Sequence, residues 1–162
     1  MNLETTLVRP IYLHPAQVCW CETPSRVETV LGSCVAVTMW DPRSQFGCIC
    51  HAVLPRGREI STEPFKYVDS SIRLMLERMD ARSVPWSEVE VKLFGGASMQ
   101  GMQSGRASVG FQNVEASLLV LRAAGLVPRT SDTGGSAGRK LRFYSGTGEV
   151  FVRRIRLERK EP

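Results

Sequence analysis

Cys34 and His51 stand 17 residues apart in the first third of the chain, and together they could perform nucleophilic chemistry. A free thiol has a pKa of about 8.5, so only a few per cent of it is the reactive thiolate at neutral pH. An imidazolium beside the thiol activates it, because its positive charge stabilises the thiolate and lowers the pKa of the thiol. Whether this pair can work therefore depends on the elements that position the two side chains.

The segments around these two residues predict a β-hairpin. Residues 34–40 (CVAVTMW) and 47–54 (GCICHAVL) are rich in β-branched and aromatic side chains, which is typical of strands. Asp41-Pro42 begins a turn-forming stretch between them. We therefore expect two antiparallel strands that are closed by residues 41–46.

The register of this hairpin decides whether the thiol meets the imidazole. If Trp40 pairs with Gly47, then Ala36 pairs with His51, and Cys34 becomes the diagonal neighbour of His51 on the same face. Backbones in such diagonal pairs lie about 7–8 Å apart, within reach of the side chains. A slip of one residue would send His51 to the opposite face.

Alternation along the strands sorts the predicted hairpin into two faces. The first face is wholly apolar and is expected to join the core: it holds Val35, Val37, Met39, Cys48, Cys50, Ala52 and Leu54. The second face holds Cys34, Ala36, Thr38, Trp40, Ile49, His51 and Val53. Since Cys48 and Cys50 point away from His51, the C-x-C spacing does not favour a zinc site, and we expect no metal.

The rest of the chain predicts two helices and further strands. One helix is expected over residues 64–82 with Thr62 as its cap, and a second from an Asn113 cap to a stop at Gly125. Additional strands are expected within residues 6–21, 89–93, 139–144 and 149–157. This grouping indicates an α+β fold, a layered sandwich of mostly antiparallel β-sheet with two main helices packed on one face.

The composition excludes several protein classes. The chain has 162 residues, of which 43% are hydrophobic and 23% charged, the balance of a globular domain. No apolar run approaches the roughly 20 residues that cross a bilayer, and no signal peptide is visible. We expect one soluble, cytoplasmic domain over residues 1–162, with its five cysteines reduced.

The net charge of +5 comes entirely from residues 139–162, which contain eight basic and three acidic side chains. The basic residues are Arg139, Lys140, Arg142, Arg153, Arg154, Arg156, Arg159 and Lys160. Such a segment could steer the protein toward an acidic partner, or it could be an ordinary solvated strand face. Nucleic acid is not expected as a partner, because neither zinc-finger spacing nor an RNA-binding motif accompanies the charge.

Several short strings in order along the chain resemble one protein family. Residues 31–37 (LGSCVAV), Asp41-Pro42 and residues 51–55 (HAVLP) are similar to the CheD family of chemoreceptor glutamine deamidases. The resemblance covers roughly residues 25–155 and continues through three further strings: residues 94–99 (FGGASM), 113–116 (NVEA) and 132–135 (DTGG).

This resemblance implies a cysteine hydrolase without a cofactor that converts particular glutamines of methyl-accepting chemotaxis receptors to glutamates. It also implies a CheC-type phosphatase as a second partner. The alternative is a non-catalytic module of the same fold that docks such a phosphatase or the receptor helices. The presence of both Cys34 and His51 favours the enzyme.

By the same resemblance, Cys34 matches the nucleophile, His51 the general base, and Thr29 a threonine that precedes the cysteine. On a uniform strand Glu28 rather than Thr29 would share a face with Cys34, unless Gly32 introduces a bulge or turn. We therefore expect Thr29 to orient His51, with Glu28 as the alternative.

The reaction also needs hydrogen-bond donors for the oxyanion that forms on the attacked carbonyl. The backbone N–H groups from Gly32 through Ser33 to Cys34, or those of Gly134 and Gly135 in the DTGG string, are the candidates.

Overall fold

Two β-sheets and two α-helices stack in three layers. The computed structural model describes residues 9–57, 62–98 and 105–156. Within these ranges the α-helices are α1 (Val68–Ala81) and α2 (Val109–Ala123). The strands are β1 (Ile11–Tyr12), β2 (Gln17–Cys21), β3 (Arg26–Leu31), β4 (Val35–Asp41), β5 (Phe46–Ala52), β6 (Glu90–Gly95), β7 (Thr130–Thr133), β8 (Gly138–Tyr144) and β9 (Val150–Ile155).

The strands form a four-stranded sheet of order β1-β3-β8-β9 and a five-stranded sheet of order β2-β5-β4-β6-β7. Pairing is antiparallel except between β1 and β3 and between β6 and β7. The expected α+β sandwich of mostly antiparallel sheet is confirmed.

Two hydrophobic clusters hold the layers together. Both helices pack on the outer side of the five-stranded sheet, in a cluster that includes Val37, Cys50, Ile72, Met75 and Leu121. The second cluster fills the space between the two sheets and includes Val27, Leu31, Ile49, Phe94, Leu141 and Phe143. Both faces of β4 and β5 are therefore buried, one under the helices and the other under the four-stranded sheet.

The hairpin of β4 and β5 has the expected register. Ala36 pairs with His51 and Trp40 with Gly47. Six of the seven residues of the predicted apolar face lie in the cluster under the helices, and the seventh, Leu54, is only partly buried. His51 consequently points toward the four-stranded sheet.

The helix starts differ from those that the sequence predicts. Thr62 does not cap the first helix, because Glu63 occupies the N-cap of a 3-10 turn over Pro64–Lys66 and α1 begins only at Val68. Asn113 does not cap the second helix either. Ser108 does so, accepting a hydrogen bond from the Phe111 N–H at 3.1 Å.

The second helix ends as expected. Gly125, with φ of 74°, follows it in the left-handed conformation that glycine adopts without strain. In the part of the chain that the structure describes, no helix is both long and apolar enough to span a membrane.

Candidate active site

The chain changes sheets between the candidate third residue and the candidate nucleophile. Thr29 lies in β3 of the four-stranded sheet, whereas Cys34 directly precedes β4 of the five-stranded sheet. Residues 32–34 make the crossing, so the alternation of a single strand does not relate the two positions. Thr29 is fully buried, while Glu28 hydrogen-bonds Arg142 at 3.0 Å near the surface.

Thr29, and not Glu28, contacts the imidazole. The Thr29 Oγ1 lies 2.8 Å from His51 Nδ1 and 2.7 Å from the carbonyl oxygen of Leu13. A hydroxyl has one proton to donate, and the Leu13 carbonyl can only accept. The network therefore assigns a proton to His51 Nδ1, which donates to Thr29, and leaves the Nε2 lone pair free to act as a base.

Burial keeps His51 neutral. The residue is 2% exposed, and desolvation lowers its pKa to about 4, although the Leu13 carbonyl raises it and His14 lowers it further. An imidazole with this pKa is unprotonated at neutral pH.

The thiol is also neutral in the resting structure. Burial raises the pKa of Cys34 above its ordinary value, and the backbone N–H of Cys34 itself offsets this in part. The thiolate–imidazolium pair that the sequence suggests is therefore not the resting form. The arrangement instead provides a neutral base, which can take the thiol proton as the thiol attacks.

Cys34 stands at the accessible end of this arrangement. It is only partly buried and packs against the cluster between the sheets, on the side to which His51 also points. Ala36 pairs with His51 and Val35 with Ala52, so Cys34, the next residue back along the chain, is the diagonal neighbour of His51. Thr29 thus contacts His51, and Cys34 lies on the same side of the hairpin, although no hydrogen bond joins its thiol to the imidazole among the described residues.

Asn113 ties the two ends of the hairpin together. Its side-chain Nδ2 donates to the carbonyl oxygens of Ser33 at 2.9 Å and Val53 at 3.0 Å. One amide thus holds the residue before the nucleophile and a residue just after His51. The sequence interpretation of Asn113 as a helix cap missed this contact, although the residue opens one of the strings that carry the family resemblance.

The Gly95-Gly96 segment at the end of β6 fixes the backbone of Cys34. The Gly96 N–H donates to the Cys34 carbonyl oxygen at 2.9 Å, and the Ala97 N–H donates to that of Gly32 at 3.0 Å. At Gly95, where φ is 105°, an added Cβ would stand 2.3 Å from the Cys34 carbonyl oxygen. Only glycine permits this approach.

A buried arginine supports that segment in turn. Arg139 is 2% exposed, and its guanidinium donates to the Gly134 carbonyl oxygen at 2.8 Å, to Asp132 at 3.1 Å and more weakly to the Gly95 carbonyl oxygen at 3.5 Å. Burial opposes ionisation of Asp132, but hydrogen bonds from Arg154 and Arg139 outweigh it and lower its pKa. The expectation that Arg139 belongs to a solvated basic surface is wrong, because buried acceptors surround its charge.

The oxyanion candidates differ in availability. The Gly134 N–H already donates to the Gly95 carbonyl oxygen at 2.9 Å, so it is occupied. No described residue accepts a hydrogen bond from the N–H of Gly32 or Ser33, which both lie in the crossing segment beside Cys34. These two amides are therefore available to an oxyanion.

The C-x-C cysteines of β5 do not lie with His51 as ligands of one metal ion would. Cys48 and Cys50 lie under the helices, on the opposite face of β5 from His51. Across residues 9–57, 62–98 and 105–156, no three histidine, cysteine or acidic side chains come together as a metal site requires.

Comparison with known proteins identifies the family of this chain. A family model described as CheD chemotactic sensory transduction matches residues 53–154, which is more than half of the chain. The chain belongs to the CheD family. The match begins just after His51, so it does not itself include Thr29, Cys34 or His51.

Individual CheD relatives match over nearly the whole chain. A probable chemoreceptor glutamine deamidase CheD 2 of Geobacter sulfurreducens is 46% identical over 145 residues, covering 90% of this chain and 89% of the relative. Probable chemoreceptor glutamine deamidases CheD of Maridesulfovibrio salexigens and Nitratidesulfovibrio vulgaris are 40% and 38% identical, over 91% and 96% of this chain and 93% and 81% of their own. A match over 96% of the chain includes the region of Thr29, Cys34 and His51.

Proposed function

We propose that this protein is a chemoreceptor glutamine deamidase, which hydrolyses the side-chain amide of receptor glutamines to glutamate and ammonia. Membership of the CheD family and the names of its relatives support the activity. The observation that carries the mechanism is the contact of Thr29 with His51 Nδ1, which leaves the Nε2 lone pair free. A buried, oriented and neutral base beside a thiol is what acyl transfer through sulfur requires.

The first half of the reaction forms a thioester. His51 Nε2 takes the proton of the Cys34 thiol while the sulfur attacks the carboxamide carbon, so that a C–S bond forms and the carbonyl π electrons move to oxygen. The N–H groups of Gly32 and Ser33 donate to this oxyanion. His51 then returns the proton to the amide nitrogen, the C–N bond breaks, and ammonia leaves.

The second half hydrolyses the thioester. His51, neutral again, takes a proton from a water molecule whose oxygen attacks the thioester carbon. The C–S bond breaks, the proton on His51 returns to the sulfur, and a glutamate side chain is released. Thr29 takes no proton in either half. It acts as a positioning residue, because its oxygen accepts from Nδ1–H and so stabilises His51⁺ each time the ring is protonated.

Chemoreceptors expose their helical signalling region to the cytoplasm, so we place the reaction there. A CheC-type phosphatase is a proposed second partner. Helix α2 offers it an apolar surface, since Phe111 is 41% and Leu119 51% exposed. This surface also suits the alternative in which the protein only binds.

Peptide-mapping mass spectrometry of a receptor cytoplasmic fragment tests the activity. Incubation with the wild-type protein is expected to convert defined glutamines to glutamates and to release equal amounts of ammonia. The Cys34→Ala variant is expected to leave them intact. If the wild-type protein binds the fragment but changes none of its glutamines, the protein is a non-catalytic binding module and the deamidase proposal fails.

A further inference from the structure

The outer side of the four-stranded sheet carries a group of cations that the proposed reaction does not use. On β8 and β9, Lys140 pairs with Arg153 and Arg142 with Phe151. Leu141, between the two β8 cations, is buried against the other sheet, so the cations point outward. We call Lys140, Arg142, Phe151 and Arg153 the basic face. They surround a shallow cleft of about 240 Å³.

The charge of the basic face is largely unneutralised. Arg142 forms an ion pair with Glu28 at 3.0 Å, and Glu28 also lies 3.7 Å from Arg26. Within the part of the chain that the structure describes, neither Lys140 nor Arg153 has an acidic partner. Phe151 is 57% exposed beside them. A cationic surface with an exposed aromatic ring favours an acidic partner that also has apolar side chains.

The basic face reaches the end of the sheet from which the chain crosses to the nucleophile. Lys140 pairs with Val30 of β3 as well as with Arg153 of β9. Val30 is four residues before Cys34, so their Cα atoms are at most about 14 Å apart. An α-helix is about 10–12 Å wide with its side chains. Lys140 lies one strand from Val30, so a receptor that reaches Cys34 at this end of the sheet also comes near the basic face on its outer side.

We infer that the basic face binds acidic stretches of the receptor helices, including the glutamates that the enzyme has just produced. This inference rests on the proposed function. Each turnover replaces a neutral carboxamide by a carboxylate, so the receptor becomes more acidic as deamidation proceeds. Lys140 and Arg153 then hold a partly deamidated receptor more tightly and keep its remaining glutamines near Cys34.

Nucleic acid is the competing occupant of a cationic surface. Neither zinc-finger spacing nor an RNA-binding motif accompanies this charge in the sequence, so a polypeptide partner is favoured.

Charge reversal with a matched control tests this assignment. The variant is Lys140→Glu/Arg153→Glu. The control is Arg73→Glu/Arg122→Glu, which makes the same change in net charge on the exposed surfaces of α1 and α2, beyond the five-stranded sheet. Substrates are a receptor cytoplasmic fragment in its glutamine form and the same fragment with its modified glutamines replaced by glutamate.

The inference predicts that the Lys140/Arg153 variant raises KM for the glutamine form about tenfold at low salt, with kcat and the thermal midpoint unchanged. Wild-type protein should bind the glutamate form more tightly than the glutamine form, and the difference should shrink as salt rises. The control variant should behave as wild type.

Equal KM values for both variants, or equal affinity for the two fragments, would overturn the inference while leaving the deamidase intact. Binding of a random DNA duplex as tightly as the receptor would overturn it in favour of nucleic acid. If the wild-type protein releases no ammonia, the proposed function fails, and the two affinities still decide whether the face selects acidic helices.

Discussion

The Thr29 hydroxyl joins the two sheets at His51, because it accepts from Nδ1 across a gap of 2.8 Å while donating to the Leu13 carbonyl oxygen at 2.7 Å. All three groups are buried. This single oxygen fixes both the tautomer and the orientation of the imidazole, and the reactivity of Cys34 depends on both.

Removal of the Thr29 hydroxyl should therefore reduce kcat more than it perturbs binding. Thr29→Val keeps the shape of the side chain but leaves the Nδ1 proton without its acceptor. We expect kcat for ammonia release to fall about 100-fold with KM little changed, since general acid–base catalysis contributes factors of about 10²–10⁴. Thr29→Ser, which restores the hydroxyl, should recover most of the rate. A Thr29→Val enzyme with near wild-type kcat would show that the contact is only structural.

Activity should extend to more acidic pH than an ordinary histidine allows. Since burial lowers the pKa of His51 to about 4, the imidazole stays neutral and able to accept a proton well below pH 6.5. We expect kcat/KM for the receptor fragment to show no acidic inflection near pH 6.5 and to decline only as the pH approaches 4. A profile that halves near pH 6.5 would mean that His51 is solvated in the working enzyme.

The same low pKa predicts how stability changes with pH. Between pH 6.5 and about 4 the unfolded chain binds a proton at His51 and the folded protein does not, so the unfolding free energy falls as the pH falls. The loss from this residue should approach about 3 kcal/mol by pH 4, because each pKa unit corresponds to about 1.4 kcal/mol. Urea denaturation across this range measures it. The His51→Gln variant should lack this component of the pH dependence, and an unchanged slope in the variant would assign it to other groups.

Asn113→Asp tests whether the helix side chain positions the nucleophile. The carboxylate has nearly the same shape as the amide, but it presents oxygen to the Ser33 and Val53 carbonyl oxygens where Nδ2 now donates. We expect kcat to drop at least about tenfold, together with a loss of about 1–3 kcal/mol in unfolding free energy from unsatisfied buried groups. Asn113→Ala separates the two effects, because it removes both donors without introducing repulsion. Full activity in a destabilised Asn113→Asp protein would limit Asn113 to a structural role.

Local pattern was enough to predict the hairpin that carries Cys34 and His51. The turn-forming segment between the strands pairs Trp40 with Gly47, and the register that follows puts only apolar side chains on one face. The pairing of Ala36 with His51 follows from that register.

The partners of these residues could not be predicted in the same way, because they come from distant parts of the chain. Thr29 reaches His51 only because the backbone changes sheets between β3 and β4. Asn113 has the sequence context of a cap, and only the packing of α2 on the sheet buries its amide against Ser33. Arg139 stands in a basic segment, and only the fold surrounds it with carbonyl groups and Asp132.

The most direct test of the account is to isolate the covalent intermediate. The reaction of wild-type protein with a receptor cytoplasmic fragment is quenched in acid, digested and mapped by mass spectrometry. We predict a thioester that joins Cys34 to the side chain of a receptor glutamine. Hydroxylamine should cleave this thioester, and the Cys34→Ser variant should not form it. Deamidation of the same glutamines at the wild-type rate by the Cys34→Ala protein would contradict the account.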